Sequence, residues 1–270
     1  MSTTTAQGAE IWWEEDGQGE PVLLIQGLGY PGDMWYRLVP ALSSRYRTLR
    51  FDNRGTGRTG VPPGPYTVEM MAADAIAVLD AAGAQRAHVV GVSMGGVIAQ
   101  EVALTYPARV RSLVLGCTHP GGQHSAPFDP DALAMVAARS TMSPRDAAEA
   151  AIPFVYAPTT PRARIDEDFA VRMRIPTTPE GYTNQAVGSS QYGGSYARLG
   201  SIDVPTLVVH GTQDRLVNPA NAPILSRAIP GARLKWLEGA SHVFFTDQPE
   251  RTAALLLTFL DSCVQPAIRS

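Results

Sequence analysis

The pentapeptide Gly91-Val92-Ser93-Met94-Gly95 constrains this chain more than any other stretch. It follows Ala87-His88-Val89-Val90, a β-branched run that reads as a buried strand. It precedes Gly96 to Tyr106, where Val97, Ile98, Glu101, Val102 and Thr105 fall at helical spacing. A serine on a sharp strand-to-helix turn is lifted clear of the sheet, and flanking glycines permit the strained backbone. With Gly and Ser each near ~7% of residues, the bare G-x-S-x-G pattern arises by accident in roughly one chain in ten of this length. The strand before it and the helix after it make it far more specific. Ser93 is the candidate nucleophile.

A serine nucleophile needs a neutral imidazole to take its proton and a carboxylate to fix that imidazole's tautomer. The five histidines are His88, His119, His124, His210 and His242. His88 and His210 lie in strand-like runs and read as structural. His242 follows Leu237-Glu238-Gly239-Ala240-Ser241, a loop after the strand read over 233–237. Asp214 lies in a loop leaving the strand that ends at His210, where a turn aspartate capping the next helix is the ordinary alternative. Asp203 precedes its strand and falls at the wrong edge. The strand read over 110–115 runs into Gly116-Cys117-Thr118 and offers no rival carboxylate. Ser93, Asp214 and His242 therefore appear in nucleophile–acid–base order. Pro21 to Ile25 reads as a strand followed by Gln26-Gly27-Leu28-Gly29-Tyr30. The N–H of Leu28 from this loop and that of Met94 after the nucleophile are the expected oxyanion donors.

These motifs resemble the α/β-hydrolase family, and specifically its compact esterase- and lactonase-like members. The resemblance covers nearly the whole chain. It rests on Leu24-Ile25-Gln26-Gly27-Leu28-Gly29, on Asp52-Asn53-Arg54-Gly55-Thr56-Gly57-Arg58-Thr59, on the Ser93 pentapeptide, on His210 to Asp214 and on Gly239-Ala240-Ser241-His242. Gln26 stands where many relatives have a histidine supporting the oxyanion loop. It is expected to hydrogen-bond locally or to contact the ligand, and Gln26 and Gly27 are placed at the substrate. Relatives that open epoxides or remove halide use an aspartate at the elbow, so Ser93 argues against both. The resemblance implies hydrolysis of a carboxylic ester or lactone through an acyl-enzyme, without metal or organic cofactor. Carbon–carbon bond hydrolysis and cofactor-free perhydrolysis remain alternatives, as does a small-molecule receptor or signalling protein on the same fold. An imidazole base implies activity that rises with pH through roughly 6 to 7, the ordinary range of histidine.

The 270 residues suffice for one large α/β domain with an insertion. Net charge is −3 with no basic run, which argues against a nucleic-acid partner. Cys117 and Cys263 are too far apart in sequence to form a framework. Cys117, His119 and His124 match no firm metal-ligand spacing, and no metal site is expected. The first residues lack a basic region followed by an apolar core, and no apolar run reaches the ~20 residues of a membrane span. A cytoplasmic protein without a membrane role is expected by default; nothing bears on oligomeric state.

Alternating strand and helix signals predict a mostly parallel sheet flanked by helices. Residues 11–15 are expected to form a hairpin with 21–25, and further strands are read over 47–51, 205–210 and 233–237. Helices are expected from Thr67 to Gly83, over 219–229 and over 249–262. The hydrolase core is assigned to 1–117 and 201–270. Between 118 and 200 the rhythm stops; helix-like pieces at 131–140 and 144–151 read as a helical lid. Phe154 and Tyr156 are expected at its substrate face, with most of its other large side chains fastening the lid to the body. The lid carries seven arginines against eight acidic residues. That balance predicts a neutral or weakly charged substrate with an apolar part.

Overall fold

The structure, a computed structural model, describes residues 2–263. Eight strands form one sheet: β1 (Ser2–Ala6), β2 (Ala9–Asp16), β3 (Pro21–Ile25), β4 (Arg47–Phe51), β5 (Ala87–Val92), β6 (Val110–Gly116), β7 (Thr206–Gly211) and β8 (Arg233–Leu237). Their order is β1-β2-β4-β3-β5-β6-β7-β8. From β4 to β8 every pairing is parallel. Parallel strands covered on both faces must be apolar throughout, and Val22 to Ile25 are buried without interruption. Leu23 and Ile25 join a core with α2 (Val68–Ala81), α3 (Met94–Thr105) and α8 (Asn221–Ala228). Val22 and Leu24 point the other way, to α1 (Val39–Ser43), α9 (Phe244–Asp247) and α10 (Pro249–Cys263).

One expected pairing is corrected. Residues 11–15 do not form a hairpin with 21–25: β2 pairs antiparallel with β1 and β4, and β4 lies between β2 and β3. The apolar β3 needs a strand on each side. Gly17, at φ 77°, passes so close to α1 that a Cβ there would stand 2.3 Å from the Ser43 carbonyl oxygen. The chain therefore runs beneath α1 rather than closing on itself. The true hairpin is β1–β2, turning at Gln7-Gly8.

The helix after Thr67 starts as the sequence indicates. The Thr67 hydroxyl accepts the Met70 N–H at 3.2 Å, and Met71, Ala75, Val78 and Leu79 are buried on one face. Gly83 at φ 64° ends it. Asp52, beyond β4, accepts the Gly32 N–H at 2.6 Å and the Arg58 N–H at 2.8 Å, and Arg54 is buried against Asp74 of α2. These bonds fix the 52–59 segment beneath the loop that follows β3.

Between β6 and β7 the chain forms α4 (Pro130–Ala138), α5 (Pro144–Val155), α6 (Arg162–Arg172) and α7 (Pro179–Ser190). This helical segment is pinned to the sheet's carboxyl edge. Buried Asp168 of α6 accepts the Tyr36 hydroxyl at 2.7 Å and the Thr246 hydroxyl at 2.7 Å. The Val243 N–H donates to the Val155 carbonyl at 2.9 Å. Among the described residues, no helix is long and apolar enough to cross a membrane.

His88 lies fully buried in β5, with Nδ1 2.7 Å from the Ser112 hydroxyl and Nε2 without a partner. Burial, and secondarily the charge of Arg111, pushes its pKa down from 6.5 to about 4. Between those values the unfolded chain binds the extra proton, so stability present near neutrality is lost as pH falls through that window. His88 alone accounts for up to about 3 kcal/mol of that loss. Thermal unfolding followed from pH 7 to pH 4 should show the decline, and His88→Leu should make it shallower; an equal slope in both proteins would contradict the assignment.

Candidate active site

The strand order reverses at β3 and β5, and their two carboxyl ends open side by side into a crevice. Ser93 occupies the end of β5. Its backbone sits at φ 56°, ψ −127°, a conformation that L-residues hold only under constraint. The constraint is close packing at the two glycines. A Cβ on Gly91 would lie 2.1 Å from the Gly95 carbonyl oxygen, and one on Gly95 would lie 2.3 Å from that of Ile25. The pattern thus serves contact between β3, β5 and α3 as much as turn geometry. It leaves Ser93 partly exposed at the start of α3.

His242 and Asp214 come from the loops after β8 and β7. His242 Nδ1 lies 2.9 Å from Asp214 Oδ2. Because Nδ1 faces a carboxylate it carries the proton, leaving the Nε2 lone pair free to accept one. Ser93 and His242 line one cavity of about 540 Å³. No direct hydrogen bond joins their side chains among the described residues; such contacts often tighten only with substrate bound.

Asp214 has four donors. Its Oδ1 accepts the N–H groups of Leu216 and Val217, each at 2.9 Å. Its Oδ2 faces His242 and also His210 Nε2, at 3.1 Å. Burial alone would raise this carboxyl's pKa; the two imidazoles outweigh it and hold Asp214 well below the usual carboxylate range. His210 was expected to be structural only. It is buried, and its Nε2 is shared between Asp214 and the Val217 carbonyl at 3.0 Å. Cys117 lies beneath the pair, its thiol pushed up by burial, with its sulfur accepting the Gly211 N–H at 3.4 Å. The ligand atoms of Cys117, Asp214 and His242 lie within 4.8 Å of one another. The carboxylate and imidazole already engage each other, and the thiol keeps its proton, so this donor set is poorly suited to a cation.

The loop after β3 forms the opposite wall. A Cβ on Gly27 would stand 3.4 Å from Ser93 Oγ. Among the described residues, neither the Leu28 nor the Met94 N–H has a hydrogen-bond partner. Gln26 and Gly27 both line the cavity. Gln26 Oε1 accepts the Gly27 N–H at 3.3 Å, and its buried Nε2 is unpartnered. Support for the loop comes from elsewhere. Asn53 donates to the Gln26 carbonyl at 2.9 Å, and Gln185 of α7 accepts the Gly29 N–H at 2.9 Å. Sequence gave no signal for Gln185.

Phe154 and Tyr156 are corrected: neither lines the cavity, whereas Val155 between them does. Phe154 and Val155 are successive residues of α5 and diverge by about 100°, while Tyr156 lies past the helix end in extended backbone and turns toward α6. Tyr156 donates its hydroxyl to Asp168 at 3.1 Å, and Phe154 packs under the Arg215 guanidinium, 4.9 Å away. The walls come instead from Phe128, Leu133, Val136, Val217 and Phe245, with His119 at the rim of β6. His119 Nδ1 accepts the Gly121 N–H at 3.1 Å, and burial, with the nearby imidazoles of His242 and His210, pushes its pKa down to about 4. It is a neutral wall residue above that pH. His124 stacks on Tyr196 with ring centres 4.3 Å apart.

The profile of the alpha/beta hydrolase fold matches residues 20–249. The chain belongs to that family. It is 32% identical over 257 residues to RutD of Azorhizobium caulinodans, provisionally named a carbamate hydrolase, spanning 93% of this chain and 95% of that protein. The crystal structure of the enol-lactonase of Burkholderia xenovorans superposes with a TM-score of 0.87 at 26% identity, covering 96% of this chain and 100% of that one. A thermophilic esterase of Thermogutta terrifontis gives 0.85 at 28% identity, covering 97% of each chain.

Gly95→Ala should lower stability by about 3 kcal/mol, because the added methyl meets the backbone of Ile25 and Gln26 at 2.3 and 2.6 Å. Gly200→Ala, with nothing within 4 Å, should change it by less than about 0.5 kcal/mol. Denaturant unfolding of the two variants checks this, and equal effects would contradict the packing account of the turn.

Proposed function

We propose that this protein is a serine hydrolase that cleaves a carboxylic ester or lactone through an acyl-enzyme. The observation that carries the reading is the 2.9 Å pairing of His242 Nδ1 with an ionised, buried Asp214, His242 lining the same cavity as Ser93. Ester- and lactone-cleaving relatives of the same fold support the choice of carbonyl substrate.

Ser93 Oγ attacks the carbonyl carbon as His242 Nε2 takes its proton. Asp214 holds the imidazole in place and stabilises its cation. The N–H groups of Leu28 and Met94 receive the negative charge that develops on the carbonyl oxygen; losing one such donor costs about 3 kcal/mol of barrier. Collapse of the tetrahedral adduct expels the alkoxide, which takes the proton from His242. Water then enters, gives a proton to His242 and attacks the acyl carbon. Ser93 leaves with that proton, and the carboxylic acid departs. From a lactone the alkoxide stays tethered, and the product is a hydroxy acid. In this reading residues 118–200 act as a lid that excludes bulk water and shapes the cavity.

Ser93→Ala should lower kcat on activated esters by at least about 10³-fold, and Asp214→Asn by about 10⁴-fold, with folding retained. Steady-state kinetics on short p-nitrophenyl esters and on lactones, beside circular dichroism, tests this. Ester hydrolysis unchanged in Ser93→Ala would overturn the reading.

A further inference from the structure

Seven arginines lie between residues 118 and 200. Arg162 pairs with Glu149 and Asp166, and Arg198 pairs with Glu101. Arg139 differs. It follows α4 and lines the cavity that contains Ser93. Its buried Nε has no partner. Among the described residues its guanidinium makes no ion pair with a carboxylate; its neighbour is Tyr182, whose ring lies 4.5 Å away. A second cation stands close by. Arg172 is buried over the Tyr30 ring at 4.2 Å, and its Nη1 donates to the Tyr30 hydroxyl at 3.3 Å. Arg172 also makes no ion pair with a carboxylate among the described residues, and Tyr30 itself lines the cavity.

A guanidinium keeps its proton in any working buffer. Burial disfavours the charge on Arg139, and Arg172 adds repulsion to the same effect. A charge in a confined cavity without a counter-ion is costly, and the planar fork of guanidinium donors matches a carboxylate. The near-equal count of basic and acidic residues in this segment hides the arrangement, because its carboxylates pair with other arginines or face other elements.

We infer that Arg139 binds a carboxylate carried by the substrate, set apart from the scissile carbonyl, so that the preferred substrates are monoesters or lactones of dicarboxylic acids. Ser93 Oγ lies against Gly27, and Arg139 Nη2 would be 3.6 Å from a Cβ on Gly29. Gly27 and Gly29 are two positions apart, so the guanidinium lies no more than about 17 Å from the hydroxyl. A short carbon chain reaches across such a distance, and the apolar side chains of Val136 and Phe245, which line the same cavity, suit its methylene groups. The expected neutral substrate is replaced by an anionic one. The inference rests on the Ser93 reading for the reaction and is independent of it for binding.

The test compares mono-p-nitrophenyl esters of glutaric and adipic acids with methyl-ended p-nitrophenyl esters of equal length. In the wild type kcat/KM should favour the acid-ended ester by at least tenfold, mostly through KM. In Arg139→Met that ratio should fall at least tenfold, with Arg139→Lys intermediate. Free adipate, measured by calorimetry against Ser93→Ala, should lose at least tenfold in affinity when Arg139→Met is added. The Tm of Arg139→Met should be no lower than that of the wild type, since an apolar chain replaces an uncompensated charge; a purely structural arginine predicts a lower one. Adipate binding that depends on Arg139 without turnover of any ester would sustain this inference and end the Ser93 reading. Turnover with no preference for the acid end, or a preference that survives Arg139→Met, would end this inference alone. Failure of adipate to bind, together with no discrimination between the esters, would also overturn it.

Discussion

The left-handed backbone at Ser93 is the constraint on which the rest of the site depends. It costs about 1–3 kcal/mol and persists only because the packing around it leaves no alternative. Gly91 and Gly95 let α3 lie directly against β3 and β5, and both apolar cores of the sheet converge on these strands. One strained residue thereby aims an oxygen into the crevice and frees the Met94 N–H at the same point. The loop after β3 is held against that serine by Asn53 and Gln185, which belong to two other segments, so closely that a Cβ on Gly27 would stand 3.4 Å from its oxygen.

Electrostatics completes what the backbone starts. Asp214 is buried, yet it stays ionised because two backbone amides and two imidazoles face it. In a site of low dielectric each of those contacts is stronger than in water. The carboxylate fixes the tautomer of His242 and leaves Nε2 free for the proton transfer proposed above. At Arg139, which lines the same cavity as His242, the balance is reversed. Arg139 has no such set of partners, and its charge awaits an anion.

Much of this was legible in the sequence, for identifiable reasons. Strands β4 and β8 fall on the residues their patterns indicate, because local pattern decides whether a strand exists. The partner of β2 was misread because pairing depends on a segment over 30 residues away that slides between β2 and β3. The helix α6, Arg162 to Arg172, is so rich in charge that it shows no apolar stripe, and α7 begins Pro-Glu-Gly; neither was visible. Phe154 and Tyr156 do not line the cavity because the inward position of α5 depends on what it packs against, and because the chain turns extended at Tyr156, just past the end of that helix. Gln185, His210 and Arg139 were missed for one shared reason. Their significance lies in which partners they reach or lack across the fold, and sequence spacing carries no trace of that.

The central claim is that Ser93 becomes covalently acylated. Rapid-quench mass spectrometry of the whole protein during turnover of an activated ester tests it most directly. The account predicts a transient mass increase of one acyl group, mapped by proteolysis to the peptide containing Ser93. Turnover without any adduct on that peptide, or an adduct on another residue that decays at the rate of turnover, would contradict it.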